Sequence, residues 1–104
     1  MNYHIYQTDA DYRFRGWDDI TKIKFNFADY HRVYYGNIID DYTKDDNKIL
    51  EELYETFNIN HPKDYHARSL SVSDVVKIVR DNTIRYYYCD NIGWQLISSE
   101  QMSK

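Results

Sequence analysis

Tyrosine occurs twelve times in this chain of 104 residues, and with four phenylalanines and two tryptophans the aromatic side chains make up 17% of it. A core made from such a sequence is built of rings. Each tyrosine brings a large apolar body and a hydroxyl that needs a hydrogen-bond partner or a route to water. The low mean hydropathy of −0.82 does not signal disorder, because tyrosine scores as polar on that scale while burying a large apolar surface. Three glycines and one proline also argue against a low-complexity linker or a loop-rich scaffold. A chain of this length makes one domain, spanning 1–104, that buries roughly 65% of its unfolded surface, enough for one core but not for a deep cofactor cleft as well. The net charge of −4 lacks the basic footprint of a nucleic-acid binder. A single cysteine forms no internal disulfide, and the opening MNYHIYQTDADYR has no apolar run, so the cytoplasm is the expected compartment.

Hydrophobic spacing then places the elements. Tyr3-His4-Ile5-Tyr6-Gln7 alternates as a strand does, and Asp9-Ala10-Asp11 is a turn signal. Asp18 and Asp19 suit the positive end of a short helix. Lys22 to Phe27 also alternates as a strand would, but a helical turn running into irregular chain is the reading favoured. His31 to Tyr35, closed by Gly36-Asn37, reads as a second strand. After Asp45-Asp46, the residues Ile49, Leu50, Leu53, Tyr54 and Phe57 fall on one helical face, opposite Lys48, Glu51, Glu52 and Glu55. An aspartate caps this main helix, and Pro62 marks the chain beyond its end. Val75–Val79 and Ile84–Cys89, joined by Asp81-Asn82, read as a hairpin; Trp94–Ile97 adds a last strand, and Ser98 to Lys104 is expected to fray. The fold class is therefore α+β, a curved antiparallel sheet of four or five strands with one main amphipathic helix packed on it.

Chemistry-bearing residues are present without the spacing that chemistry needs. His61 and His66 lie in one loop, but structural zinc wants four nitrogen or sulfur ligands, and Cys89 stands alone in a tyrosine-rich strand, so no metal and no cofactor are expected. Ser69, Ser71 and Ser73 lie near His66 and Asp74, yet no nucleophile elbow surrounds them. The alternation of Ser69 to Val76 puts Leu70 and Val72 on one face and the serines on the other, as in a half-exposed strand or the entry to one. Cys89 reads as a small buried hydrophobe. The protein is expected not to be an enzyme.

Charge is distributed unevenly. Asp40, Asp41, Asp45, Asp46, Glu51, Glu52 and Glu55 face only Lys44 and Lys48 in the same segment, a local net of −5 that leaves +1 for the rest of the chain. Such a run ordinarily keeps a helix face solvated. With Tyr42 among them, the same residues would also suit docking on a basic groove, carboxylates taking the place of phosphates. That requires the seven carboxylates to line one side of the scaffold, free of internal ion pairs.

His61-Pro62-Lys63-Asp64 through Ser69-Leu70-Ser71-Val72-Ser73-Asp74-Val75-Val76, followed by Tyr86-Tyr87-Tyr88-Cys89-Asp90-Asn91-Ile92-Gly93-Trp94, resembles the YodL-like domain family. Tyr3 to Gln7 and Tyr30 to Gly36 resemble its amino-terminal blocks, so the likeness covers most of the chain; Cys89 departs from the commoner valine. The resemblance implies an accessory protein of a plasmid, phage or conjugative element with no established catalytic activity. By analogy with anti-CRISPR and anti-restriction inhibitors, it also implies a partner that is a host nuclease or other nucleic-acid-processing protein with a basic surface. Asp64, Ser69, Ser71, Ser73, Asp74, Asp90, Gly93 and Trp94 are expected to hold the structure rather than a partner. Two alternatives stand beside the inhibitor: an interaction module for conjugation or replication machinery using aromatic surface at Trp94 and Tyr86 to Tyr88, and a small nucleic-acid reader using Arg13, Arg15, Arg32, Arg68 and the tyrosines as stacking platforms.

Overall fold

Five segments with alternating side chains pair into one antiparallel sheet, seen in a computed structural model that describes residues 1–23 and 25–102. The strands are β1 (Asn2–Thr8), β2 (Tyr30–Asn37), β3 (Val75–Arg80), β4 (Thr83–Cys89) and β5 (Trp94–Ile97). Their order is β2-β1-β3-β4-β5, so β1 and β3 are central and β2 and β5 are edges. The β1–β2 register shifts between Ile5 and Tyr6, an irregularity of the kind that bends a strand and strengthens local twist. β3 and β4 turn on Asp81 and Asn82, both at positive φ (50° and 63°), the geometry of a two-residue hairpin turn that aspartate and asparagine tolerate.

Among the described residues three helices complete the fold: α1 (Trp17–Ile23), α2 (Asp46–Ile59) and α3 (Ser99–Met102), with a 3-10 turn at Phe27–Asp29. The strand alternative across 22–27 gives way to the end of α1 and this turn, with Lys24 outside the described residues. The Asp45 side chain caps α2 by accepting the Lys48 N–H at 2.9 Å. The expected fraying after Ser98 is replaced by one helical turn, because Ser98 and Gln101 form a reciprocal capping box: Ser98 N–H donates to the Gln101 side chain, and Gln101 N–H donates to Ser98 Oγ. Residues 103 and 104 lie outside the described residues.

Alternation gives the sheet two faces. On one, Ile49, Leu50, Leu53 and Phe57 of α2 pack on Tyr3, Ile5, Val76, Ile78 and Tyr87. Each fully buried aliphatic or phenylalanine side chain there contributes roughly 1.5–3 kcal/mol. Tyr54, expected on this apolar face, is exposed and meets Trp94 edge-on at 6.5 Å. On the other face, Tyr12, Trp17, Ile20 and Phe25 cover Val75, Tyr88 and Ile97. Tyrosine hydroxyls reach partners as their chemistry requires: Tyr12 donates to Asn26 O and Asp29, Tyr88 to Arg15 O, and Tyr65 to Arg68 O.

Candidate interaction surfaces

The acidic segment does not form the unpaired row its sequence suggests. Arg80, at the end of β3, reaches under the start of α2 with its side chain only 13% exposed. Its guanidinium pairs with Asp40 at 2.8 Å and Asp46 at 3.2 Å and donates to the Asp41 carbonyl at 2.9 Å. Asp46 also accepts the Tyr87 hydroxyl and lies 3.8 Å from Arg85. Lys44 bridges Glu52 at 2.7 Å and Asp41 at 4.0 Å. The Asp41 carboxylate, bonded to Thr43, is held below the usual range by those hydrogen bonds. Tyr42 leans on the same cluster, donating to Asp81 at 3.0 Å with Arg80 over its ring. Asp45 is occupied as the helix cap. Of the seven carboxylates, Glu51 and Glu55 are exposed and have no ion pair among the described residues. The cause is simple: Arg80 and Arg85, which pair with Asp40 and Asp46, are more than thirty residues away in sequence, outside any local charge sum.

The serine-rich segment is not a half-exposed strand but a turn that enters β3, with Leu70, Ser73 and Asp74 buried. Asp74 N–H donates to Ser71 O, closing a turn, and Ser73 takes a φ of 84°. That rotation breaks the expected alternation and buries Ser73, whose Oγ accepts the Phe14 N–H at 2.9 Å. Ser69 stays exposed, with its carbonyl taking the Ser71 hydroxyl. Asp74 is fully buried and accepts Ser71 N–H at 2.8 Å and the Gln7 amide at 3.0 Å, with Arg68 at 3.5 Å. Burial raises its carboxyl to about 6, against the opposing pull of those donors. Asp90 accepts the N–H groups of Trp17 and Asn91, tying α1 to the turn before β5, where Gly93 has a φ of 71°. Asp64 accepts the Tyr34 hydroxyl at 2.8 Å. These residues knit distant segments together.

The aromatic surface expected at Trp94 and Tyr86 to Tyr88 divides between the two sheet faces, because consecutive strand residues point oppositely. Tyr87 and Tyr88 are buried, Trp94 lies by α2, and Tyr86 faces the other way. Cys89 is buried, and its thiol is pushed up to about 12 by burial, which suppresses thiolate chemistry. No three His, Cys, Asp or Glu side chains among the described residues could hold a metal ion together.

A third surface joins Arg32 and Tyr86, each expected on a different alternative surface, to Tyr35, His4 and Lys77. Beyond α1, the face opposite α2 is only partly covered: Phe27 meets Tyr86 edge-on at 5.4 Å, and His4, Lys77 and Tyr86 are half-buried. Its central row, read across the register, is Tyr35, His4, Lys77 and Tyr86, and its outer row ends at Val79 and Ile84. Tyr35 is 61% exposed and Ile84 56%. Arg32 lies over the Tyr35 ring at 4.7 Å, the His4 ring lies nearly parallel to Tyr35 at 5.8 Å, and Lys77 sits 5.8 Å from the Tyr86 ring centre. The His4 pKa is lowered by partial burial and by Lys77 and Arg32 beside it. Of the four arginines expected on a nucleic-acid surface, Arg32 is here; Arg13 and Arg68 pair with Asp9, and Arg15 lies in the loop before α1, exposed. The signal was present in the alternation of Tyr3 to Gln7, where the second face carries His4 and Tyr6.

The architecture defines a small single-domain α+β protein, its sheet covered by one long helix on one side and partly bare on the other. The chain belongs to the YodL-like domain family, whose model matches residues 2–99. Comparison with curated proteins and with solved structures gives no match. Among the described residues no helix is long and apolar enough to cross a membrane.

Proposed function

We propose that this domain is a non-enzymatic binding protein of the cytoplasm that engages its partner through the bare part of its sheet, at Arg32, Tyr35, His4, Lys77, Tyr86 and Ile84. One observation carries the reading. In a chain of net charge −4, this face combines exposed Tyr35 and Ile84 and half-buried Tyr86 with two cations for which no ion pair exists among the described residues, while the carboxylates of the acidic segment are largely consumed within the fold. Rigid aromatic side chains and arginine are the residues that dominate recognition surfaces.

A second reading, an inhibitor carried by a mobile element that docks on a basic surface of a host nucleic-acid-processing protein, draws on Glu51 and Glu55 beside exposed Tyr54. Photo-crosslinking separates the two. A photoreactive residue at position 35 is expected to yield discrete products in bacterial cells, whereas one at position 55 yields none. Products from position 55 alone would overturn the sheet-face reading in favour of the inhibitor, and Glu51→Lys with Glu55→Lys would then abolish them.

A further inference from the structure

The bare face has the parts of a stacking platform. Tyr35, His4 and Tyr86 stand on three strands of one four-strand row, with Lys77 between His4 and Tyr86. The row spans three interstrand spacings, about 14 Å. Sheets that take single-stranded nucleic acid stack two or three bases on aromatic side chains at strand centres, and cations beside them meet the phosphates. Charge complementarity selects the occupant. No register position on this face from β2 to β4 carries an aspartate or glutamate, and the groups that lower the His4 pKa besides burial are the cations Lys77 and Arg32. Arg32 adds a planar guanidinium that both stacks and pairs with phosphate. The acidic net charge of the molecule sits elsewhere, held around Arg80 and Lys44 on the α2 side. An acidic peptide would use the cations but leave the rings without flat partners, and duplex nucleic acid keeps its bases stacked away from them.

We infer that the partly bare sheet face binds single-stranded nucleic acid, bases stacking on exposed Tyr35 and on the uncovered part of half-buried Tyr86, and phosphates meeting Arg32 and Lys77; this rests on the face being the partner surface proposed above. Stacking carries the affinity and is tolerant of sequence, since every base has a flat face.

Fluorescence anisotropy of the full chain tests it, with labelled single-stranded DNA and RNA of about ten nucleotides, the DNA duplex, and a poly-glutamate peptide. Single strands are expected to bind in the micromolar range, with the duplex and the peptide at least about tenfold weaker. Whether DNA or RNA binds tighter identifies the source. Tyr35→Ala should weaken binding about tenfold and Tyr35→Trp restore it, a rescue that a purely structural role would not give. Two phosphate contacts set a slope of about −1.4 in log K against log salt, and Lys77→Gln should halve it. Arg13→Ala, which removes the same charge away from this face, should change nothing. Failure of both strands to saturate, equal binding of duplex or peptide, or insensitivity to Tyr35→Ala would each overturn the inference. Protein crosslinks from position 35 without strand binding would sink this inference and leave the proposed surface standing; no crosslink and no binding would remove both.

Discussion

Asp74 shows how one buried carboxyl can record the logic of its surroundings. Three donors favour its ionised form, yet the nearest cation, Arg68, stands 3.5 Å away, and burial outweighs them, raising the group from 3.8 to about 6. A native pKa above the unfolded value means that the folded state holds the proton more tightly. The stability this contributes is therefore fully present below about pH 4 and is lost as pH rises through about 6. Comparing the wild type with Asp74→Asn isolates the effect: the wild type should lose roughly 2 kcal/mol relative to the variant across that window. A pH-independent difference would mean that Arg68 holds the carboxylate ionised. Gly93 makes a different kind of residue-scale prediction. Nothing lies within 4 Å of a Cβ built there, but φ is 71°, so Gly93→Ala should cost about 1 kcal/mol through the backbone alone, lowering Tm by roughly 4–8 °C. Both residues were expected from the sequence to hold the structure. The depth at which Asp74 sits was not, because it follows from the positive φ at Ser73, which alternation does not reveal.

At the scale of elements, local pattern was enough for most of the fold. The 3.6-residue spacing of Ile49, Leu50, Leu53 and Phe57 located α2, and the alternation of β-branched and tyrosine residues located β3 and β4. What local pattern could not supply was pairing between elements. Arg80 closes β3 onto the loop before α2, and its partners Asp40 and Asp46 are forty and thirty-four residues away. Arg80→Ala should lower Tm by several degrees and speed amide exchange in residues 38–45, because it leaves two half-buried carboxylates facing each other. The second half of α2, held by Leu53 and Phe57, should keep its protection. Unchanged exchange in residues 38–45 would show that the guanidinium does not anchor this end. Capping of α3 by Ser98 and Gln101 was legible in principle as a Ser-x-x-Gln signature, but its nearness to the chain end made fraying the simpler expectation.

For the whole molecule, the sum of charges gave a poor guide to the surface. A net of −4 and a run of seven carboxylates imply an acidic surface at α2, whereas folding draws arginine from the sheet into that segment and leaves Arg32 and Lys77 on the opposite face. The two-sidedness of the sheet is the cause. Helix α2 spans one face, but α1 and Phe27 reach only part of the other, so the strands that bury Val75 and Tyr88 at one end expose Tyr35 and Ile84 elsewhere. The alternation in β1 already implied two dressed faces; nothing in it said how far the second would be covered, which depends on where residues 9 to 29 lie in space. Amide chemical-shift mapping of the full chain, titrated with a short single-stranded oligonucleotide, tests the central claim most directly. Saturable shifts at His4, Arg32, Tyr35, Lys77 and Tyr86, with Glu51 and Glu55 unmoved, are the predicted result; shifts centred on α2, or none at saturating oligonucleotide, would contradict it.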